Sequence, residues 1–298
     1  MRSLIQTLLI TVLLVASAAT FAQKPTEQEE LALAAMEGLM SQSAERALPI
    51  IKKVLAGSQT PLVKKRALFV LSQLDTPEAD EILLQTSRSP DAALRREAIR
   101  SIGIRGDDKS LAALQQTYAA GDEDVKKQVL HAWMIAGRKQ EVYQAAISAK
   151  SEDEADAAIH MLSVMGAVDE LRKLGDRPNA PGSLVQAYAI SGDLASLRRI
   201  VDSGAATDVR AEAVRKIGII DNAGAREALR DIYARSQDEK IKDAALQGML
   251  IAGDDQGVLA LYRAATTVEE KRDLLRTLTQ MDSDAALKAI DAALEDKK

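Results

Sequence analysis

Residues Pro90–Gly121, PDAALRREAIRSIGIRGDDKSLAALQQTYAAG, decide the fold. Leu94, Ala98, Ile99 and Ile102 recur at helical spacing while Arg95, Arg96 and Arg100 take the other faces, so the stretch opens with a helix that buries one stripe. Gly106 and Asp107 then break the pattern. Glycine accepts the left-handed backbone that ends a helix, and an aspartate can cap the helix that follows. Leu111, Leu114 and Tyr118 form the stripe of that second helix. Two helices joined by so short a turn lie antiparallel, and their stripes are buried only if further hairpins stack on either side.

The rest of the chain repeats this unit. The residue that closes each first helix falls at Ser43, Asp75, Gly106, Gly137, Gly166, Gly192, Asp221, Gly253 and Asp282, at intervals of 26 to 32 residues, which gives nine hairpins. Four residues before this closing position stand Leu39, Leu71, Ile102, Trp133, Leu162, Tyr188, Ile217, Met249 and Leu278. Seven before it stand Met36, Leu68, Ile99, Leu130, Ile159, Val185, Val214, Leu246 and Leu275. Eight after it, in the second helices, come Ile51, Leu83, Leu114, Ala145, Leu174, Ile200, Leu229, Leu261 and Ile290. Three apolar columns in one register predict an all-α, right-handed α-solenoid.

Composition agrees with that architecture. Aromatic residues make up 3% of the 298 positions, which favours thin helical layers over a large globular core. The net charge of −5 sets a field that repels nucleic acid and anionic membrane. With no cysteine, disulfides, thiolate metal sites and thiol catalysis are excluded.

Residues 1–22 read as a cleavable leader. Arg2 supplies a positive end, Leu4 to Val15 an apolar stretch interrupted by Gln6, Thr7 and Thr11, and Thr20-Phe21-Ala22 a small-residue cleavage motif, with Ala16-Ser17-Ala18 as the other option. The uninterrupted apolar core is shorter than the ~20 residues a membrane span needs, so cleavage after Ala22 and a periplasmic or secreted chain of residues 23–298, without stable membrane insertion, are expected. Loss of Arg2 moves the net charge by one unit, from −5 to −6.

An apolar residue followed by a basic one recurs near the start of the first helices, at Val63-Lys64, Leu94-Arg95, Val125-Lys126, Val209-Arg210 and Ile241-Lys242. Ala98-Ile99 and Ala213-Val214 follow, with Gly-Asp turns at Gly106-Asp107 and Gly253-Asp254. Over about residues 27–298 these units resemble HEAT repeats of the short bacterial kind related to phycobilisome-lyase repeats. Tetratricopeptide repeats fit less well, since their ~34-residue period carries fixed aromatic positions. The resemblance implies a non-enzymatic interaction scaffold. It leaves a lyase-type or metal-dependent enzyme on the same framework as the alternative.

The search for chemistry favours the scaffold. His131 and His160 occupy equivalent positions in adjacent units, but neither is followed by Glu, so no cofactor or metal is expected. Gly103 to Ser110 superficially resembles a phosphate loop, yet no strand precedes Gly103 and no glycine precedes Lys109. The recurring cations Lys64, Arg95, Lys126 and Arg210 read as a ladder paired with nearby carboxylates, not as a nucleic-acid surface.

Two local expectations complete the reading. GDRPNAPGS, residues 175–183, holds two prolines and two glycines and interrupts the stack as a joint. The resemblance implies that second helices line the concave face. This would place Tyr143, Ile147, Arg172, Lys173, Arg198 and Arg199 in a groove suited to another protein with an acidic, partly apolar segment.

Overall fold

In the computed structural model the described residues are 25–177, 182–281 and 283–295. The expected leader and the middle of the expected joint therefore lie outside them. The helices run in pairs: α1 (Glu27–Leu39) with α2 (Ala44–Ala56), α3 (Pro61–Ser72) with α4 (Pro77–Thr86), and α5 (Ala92–Arg105) with α6 (Asp108–Ala120). Next come α7 (Glu123–Ile135) with α8 (Lys139–Ile147), α9 (Glu152–Val164) with α10 (Val168–Gly175), and α11 (Leu184–Ile190) with α12 (Leu194–Val201). The last three pairs are α13 (Thr207–Ile217) with α14 (Ala223–Arg235), α15 (Glu239–Ile251) with α16 (Asp255–Ala264), and α17 (Val268–Thr279) with α18 (Asp284–Glu295). Odd-numbered helices form one layer and even-numbered helices the other, as the repeat requires.

The turns follow the sequence chemistry. Gly106, Gly137, Gly166, Gly192 and Gly253 have φ between 60° and 74°, the left-handed region in which a side chain is strained. The aspartate after three of these glycines caps the second helix. Asp107 accepts from the Ser110 amide at 2.7 Å, Asp193 from Ser196 at 3.2 Å and Asp254 from Gly257 at 3.2 Å.

All nine residues of the column four before the closing position are buried. In the column seven before it, Val185 and Leu275 are only half-buried, because α11 is short and α17 belongs to a terminal hairpin with one neighbour fewer. Ile200, Leu261 and Ile290 are likewise half-buried in the second-helix column. A further buried column lies eight before the closing position: Ala67, Ala98, Val129, Ala158, Leu184, Ala213, Ala245 and Leu274. Its five alanines let consecutive first helices come close.

That approach decides the curvature. A methyl group built on Gly103 would lie 2.8 Å from Ala132 Cα, and one on Gly218 would lie 2.3 Å from the Gly248 carbonyl oxygen. From α1 to α15 each first helix touches the next over a longer stretch than the matching second helices do, and the order reverses only between the last two pairs. In a superhelix the more closely spaced layer is the inner one. The first helices therefore line the concave side over most of the chain, contrary to the expectation that the second helices do.

Candidate protein-binding face

Because first helices form the inner layer, the side chains that they turn away from the second helices define the groove. The position two before the closing residue lies on this face. It holds Ile104, Ile135, Val164, Ile190, Ile219 and Ile251 in six consecutive hairpins, and their exposure runs from 39% to 57%. One β-branched apolar side chain per repeat thus stands in solvent, forming a ladder across α5, α7, α9, α11, the turn that follows α13, and α15.

Four residues earlier on each helix, one turn along the same face, runs a second column: Arg100, His131, His160, Gln186, Arg215, Gln247 and, in α17, Arg276. It contains no carboxylate over these seven hairpins. Its arginines contact carboxylates of their own helices, Arg100 with Glu97 at 3.3 Å, Arg215 with Glu212 at 2.6 Å and Arg276 with Asp273 at 3.3 Å. The guanidinium groups of Arg100 and Arg276 are mostly in solvent, where such pairs are worth little, while Arg215 is held more closely by Glu212.

Between α5, α7 and α9 the face deepens into a cavity of about 580 Å³. Arg96, Arg100 and Lys127 bring positive charge to it, Ala157 and Met161 an apolar surface, and both histidines line it. Lys127 donates a hydrogen bond to Glu123 at 2.5 Å, which raises the lysine pKa above its ordinary range. His131 and His160 are exposed and share this cavity, as their equivalent positions predict. No group of three or more His, Cys, Asp or Glu side chains suited to a metal occurs among the described residues.

The six residues expected in the groove are not brought together there. They sit on α8, α10 and α12, in the outer layer. Tyr143 and Ile147 are half-buried against the core. Arg172 forms a two-pronged bond to Asp193, at 2.8 and 2.7 Å, while Arg198 pairs with Asp231 at 3.2 Å and Arg199 with Asp176 at 3.4 Å. Lys173 is exposed. Arginines that read as free cations in the sequence are thus stitches between neighbouring hairpins.

The recurring basic ladder is also internal. Arg95 donates to the Ser89 carbonyl at 3.0 Å and Arg210 to the Val201 carbonyl at 2.7 Å, so each satisfies the end of the preceding unit. Lys126 pairs with Glu154 at 2.5 Å over the Tyr118 ring, and Lys242 with Glu270 at 3.9 Å over Tyr233. The Lys126 hydrogen bond holds the Glu154 carboxyl below the usual range.

The apolar ladder was the feature the sequence reading passed over. Its signal is an isoleucine or valine nearly opposite the buried column on the helical wheel, where a polar residue belongs. Six such coincidences in register separate it from scattered surface apolar residues.

A family model of HEAT repeats matches residues 48–134. Among solved structures, human deoxyhypusine hydroxylase in complex with glycerol is 18% identical, with 85% of this chain and 91% of that one covered at a TM-score of 0.36. An engineered protein is 18% identical, covering 91% and 89% at a TM-score of 0.32. The CpcE–CpcF complex of phycocyanin lyase from Nostoc sp. is 18% identical, covering 90% and 94% at 0.28. Values this low carry nothing about activity. No curated protein matches the chain. Residues 48–134 match HEAT repeats, and hairpins with the same turns and buried columns continue on both sides of them, so the described residues form an all-α solenoid.

Proposed function

We propose that this chain is an exported, non-catalytic scaffold of the cell envelope that holds another protein along the concave face of its first helices. The observation that carries this reading is the ladder from Ile104 to Ile251. A catalytic centre needs different groups converging on one reacting atom, whereas a ladder offers the same apolar contact six times over and suits an extended partner. Exposed apolar groups in a continuous row, beside cations, are a feature of interaction surfaces. Export rests on the order of charge, apolar stretch and small residues in 1–22.

Two measurements test it. Intact mass of the protein recovered from the envelope fraction should begin at Gln23, or at Ala19 if the earlier site is used; a chain retaining Met1 there would remove the basis for a cleaved leader. A photocrosslinking residue at position 164 should yield an adduct that Ile135→Ser suppresses, while one at position 173 on the outer layer should not. Adducts from 173 alone would overturn the assignment of the face.

A further inference from the structure

The spacing of the ladder constrains what can lie on it. Packed helices stand about 8–10 Å apart, so apolar contacts recur at that interval along the groove and the six span roughly 45 Å. A strand advances about 10 Å in three residues, but an odd step turns alternate anchors to opposite faces. An α-helix advances about 10.5 Å in seven residues and returns within about 20° of the same face. A single column of apolar residues, one per heptad, therefore meets one ladder side chain per hairpin.

The neighbouring column supplies the charge argument. It lies four residues, about 6 Å, along the first helices from the ladder, and a helix about 10 Å wide covers both at once. Arg100, His131, His160, Arg215 and Arg276 place arginines and histidines on that side, with Gln186 and Gln247 between them, in a protein whose net charge is −5. Arg96 and Lys127 add to it at the α5–α7–α9 cavity. A polyproline segment also advances about 9 Å in three residues with its anchors on one face. Its other side chains diverge from the surface, however, and leave the cationic column uncovered.

We infer that the occupant is an amphipathic α-helix of about 36 residues, lying along the groove across α5 to α15, with one apolar residue per heptad on the ladder and carboxylates toward the Arg100–Arg215 column. The inference rests on the scaffold reading and specifies its partner. Its two parts, period and sign, are separately testable.

The probes are fluorescent synthetic peptides of four heptads, titrated by anisotropy against the chain from residue 23. One carries leucine once per heptad flanked by glutamate, the second has each glutamate replaced by lysine, the third is a scramble of the first, and the fourth is a proline-rich peptide with leucine every third residue. The first should bind at least tenfold tighter than the others. Ile135→Ser/Val164→Ser/Ile190→Ser should weaken it at least tenfold. Arg100→Glu/Arg215→Glu should shift preference toward the lysine peptide. The serine variant and Arg100→Glu change exposed positions while Arg215 is half-buried, and unaltered circular dichroism and melting would show that the fold survives. Equal binding of the glutamate and lysine peptides, of the scramble or of the proline-rich peptide, or indifference to the triple serine variant, overturns the inference. So does a wild-type dimer that the serine variant dissociates, since a second copy then covers the ladder. If the crosslink from position 164 appears while these peptides fail, the scaffold reading stands and only the helical partner falls; if both fail, both fall.

Discussion

Trp133 shows how one side chain ties two hairpins together. Its ring is 2% exposed, its indole N–H donates to the Leu111 carbonyl at 3.2 Å, and Tyr118 lies 5.3 Å away between ring centres. Tyr188, at the same repeat position two units on, donates to the Leu171 carbonyl at 3.2 Å, again five residues past the preceding closing position. Trp133→Ala should cost about 3–5 kcal/mol in chemical denaturation, and a loss below about 1 kcal/mol would mean that the ring is not packed. Asp193 is a second such residue. Burial of its carboxyl raises the pKa, but hydrogen bonds from Arg172 and Ser196 outweigh this and leave it lowered. Its side chain is 1% exposed against 39% for Arg172. A depressed carboxylate stabilises the fold above the ordinary aspartate pKa of about 4, and that contribution is lost as pH falls through the lower, folded value. The melting temperature of wild type should therefore exceed that of Asp193→Asn by more at pH 7 than at pH 3. A difference independent of pH would show that charge plays no part.

At the scale of elements, the first helices are held together by closeness. A methyl group at Gly218 would sit 2.3 Å from the Gly248 carbonyl oxygen, so α13 and α15 must separate to admit it. Gly218→Ala should destabilise by about 1–3 kcal/mol despite the better helix propensity of alanine. Gly38 on α1 has nothing within 4 Å of the same construction, and Gly38→Ala should gain up to about 1 kcal/mol. Equal effects at the two sites, read from denaturant midpoints, would contradict the inner-layer assignment, because that assignment depends on the tight α13–α15 contact.

Across the whole molecule the stack is thinnest at its middle. Helices α10, α11 and α12 are eight, seven and eight residues long, against thirteen for α7, α9, α14 and α15. Short helices bury fewer apolar neighbours, and regions with few such contacts open at lower free energy. Arg177, just past α10, is exposed. Because Pro178 follows Arg177 and blocks trypsin there, limited digestion with a broad-specificity protease should cut first near Arg177 and release two fragments that each retain helical signal. A first cut elsewhere, with this stretch intact, would show that this part of the stack is as well protected as the rest.

Periodicity and local turn chemistry determined the helical hairpins, their number, their closing glycines and the capping role of Asp107, because these depend on residues within one turn of each other. It also determined the columns headed by Leu39 and Met36, since a helix fixes which side chains share a stripe. Which layer faces inward was decided by contacts between hairpins about 30 residues apart. Gly103 against Ala132 and Gly218 against Gly248 draw the first helices together, and no local pattern announces that pairing. The same holds for Arg172, Arg198 and Arg199, whose carboxylate partners lie 21 to 33 residues away in sequence and become neighbours only when the hairpins stack. The isoleucine ladder lies between the two cases. Its residues are legible as apolar positions on a polar face, but their exposure, and so their availability to a partner, follows from the curvature that leaves that face uncovered.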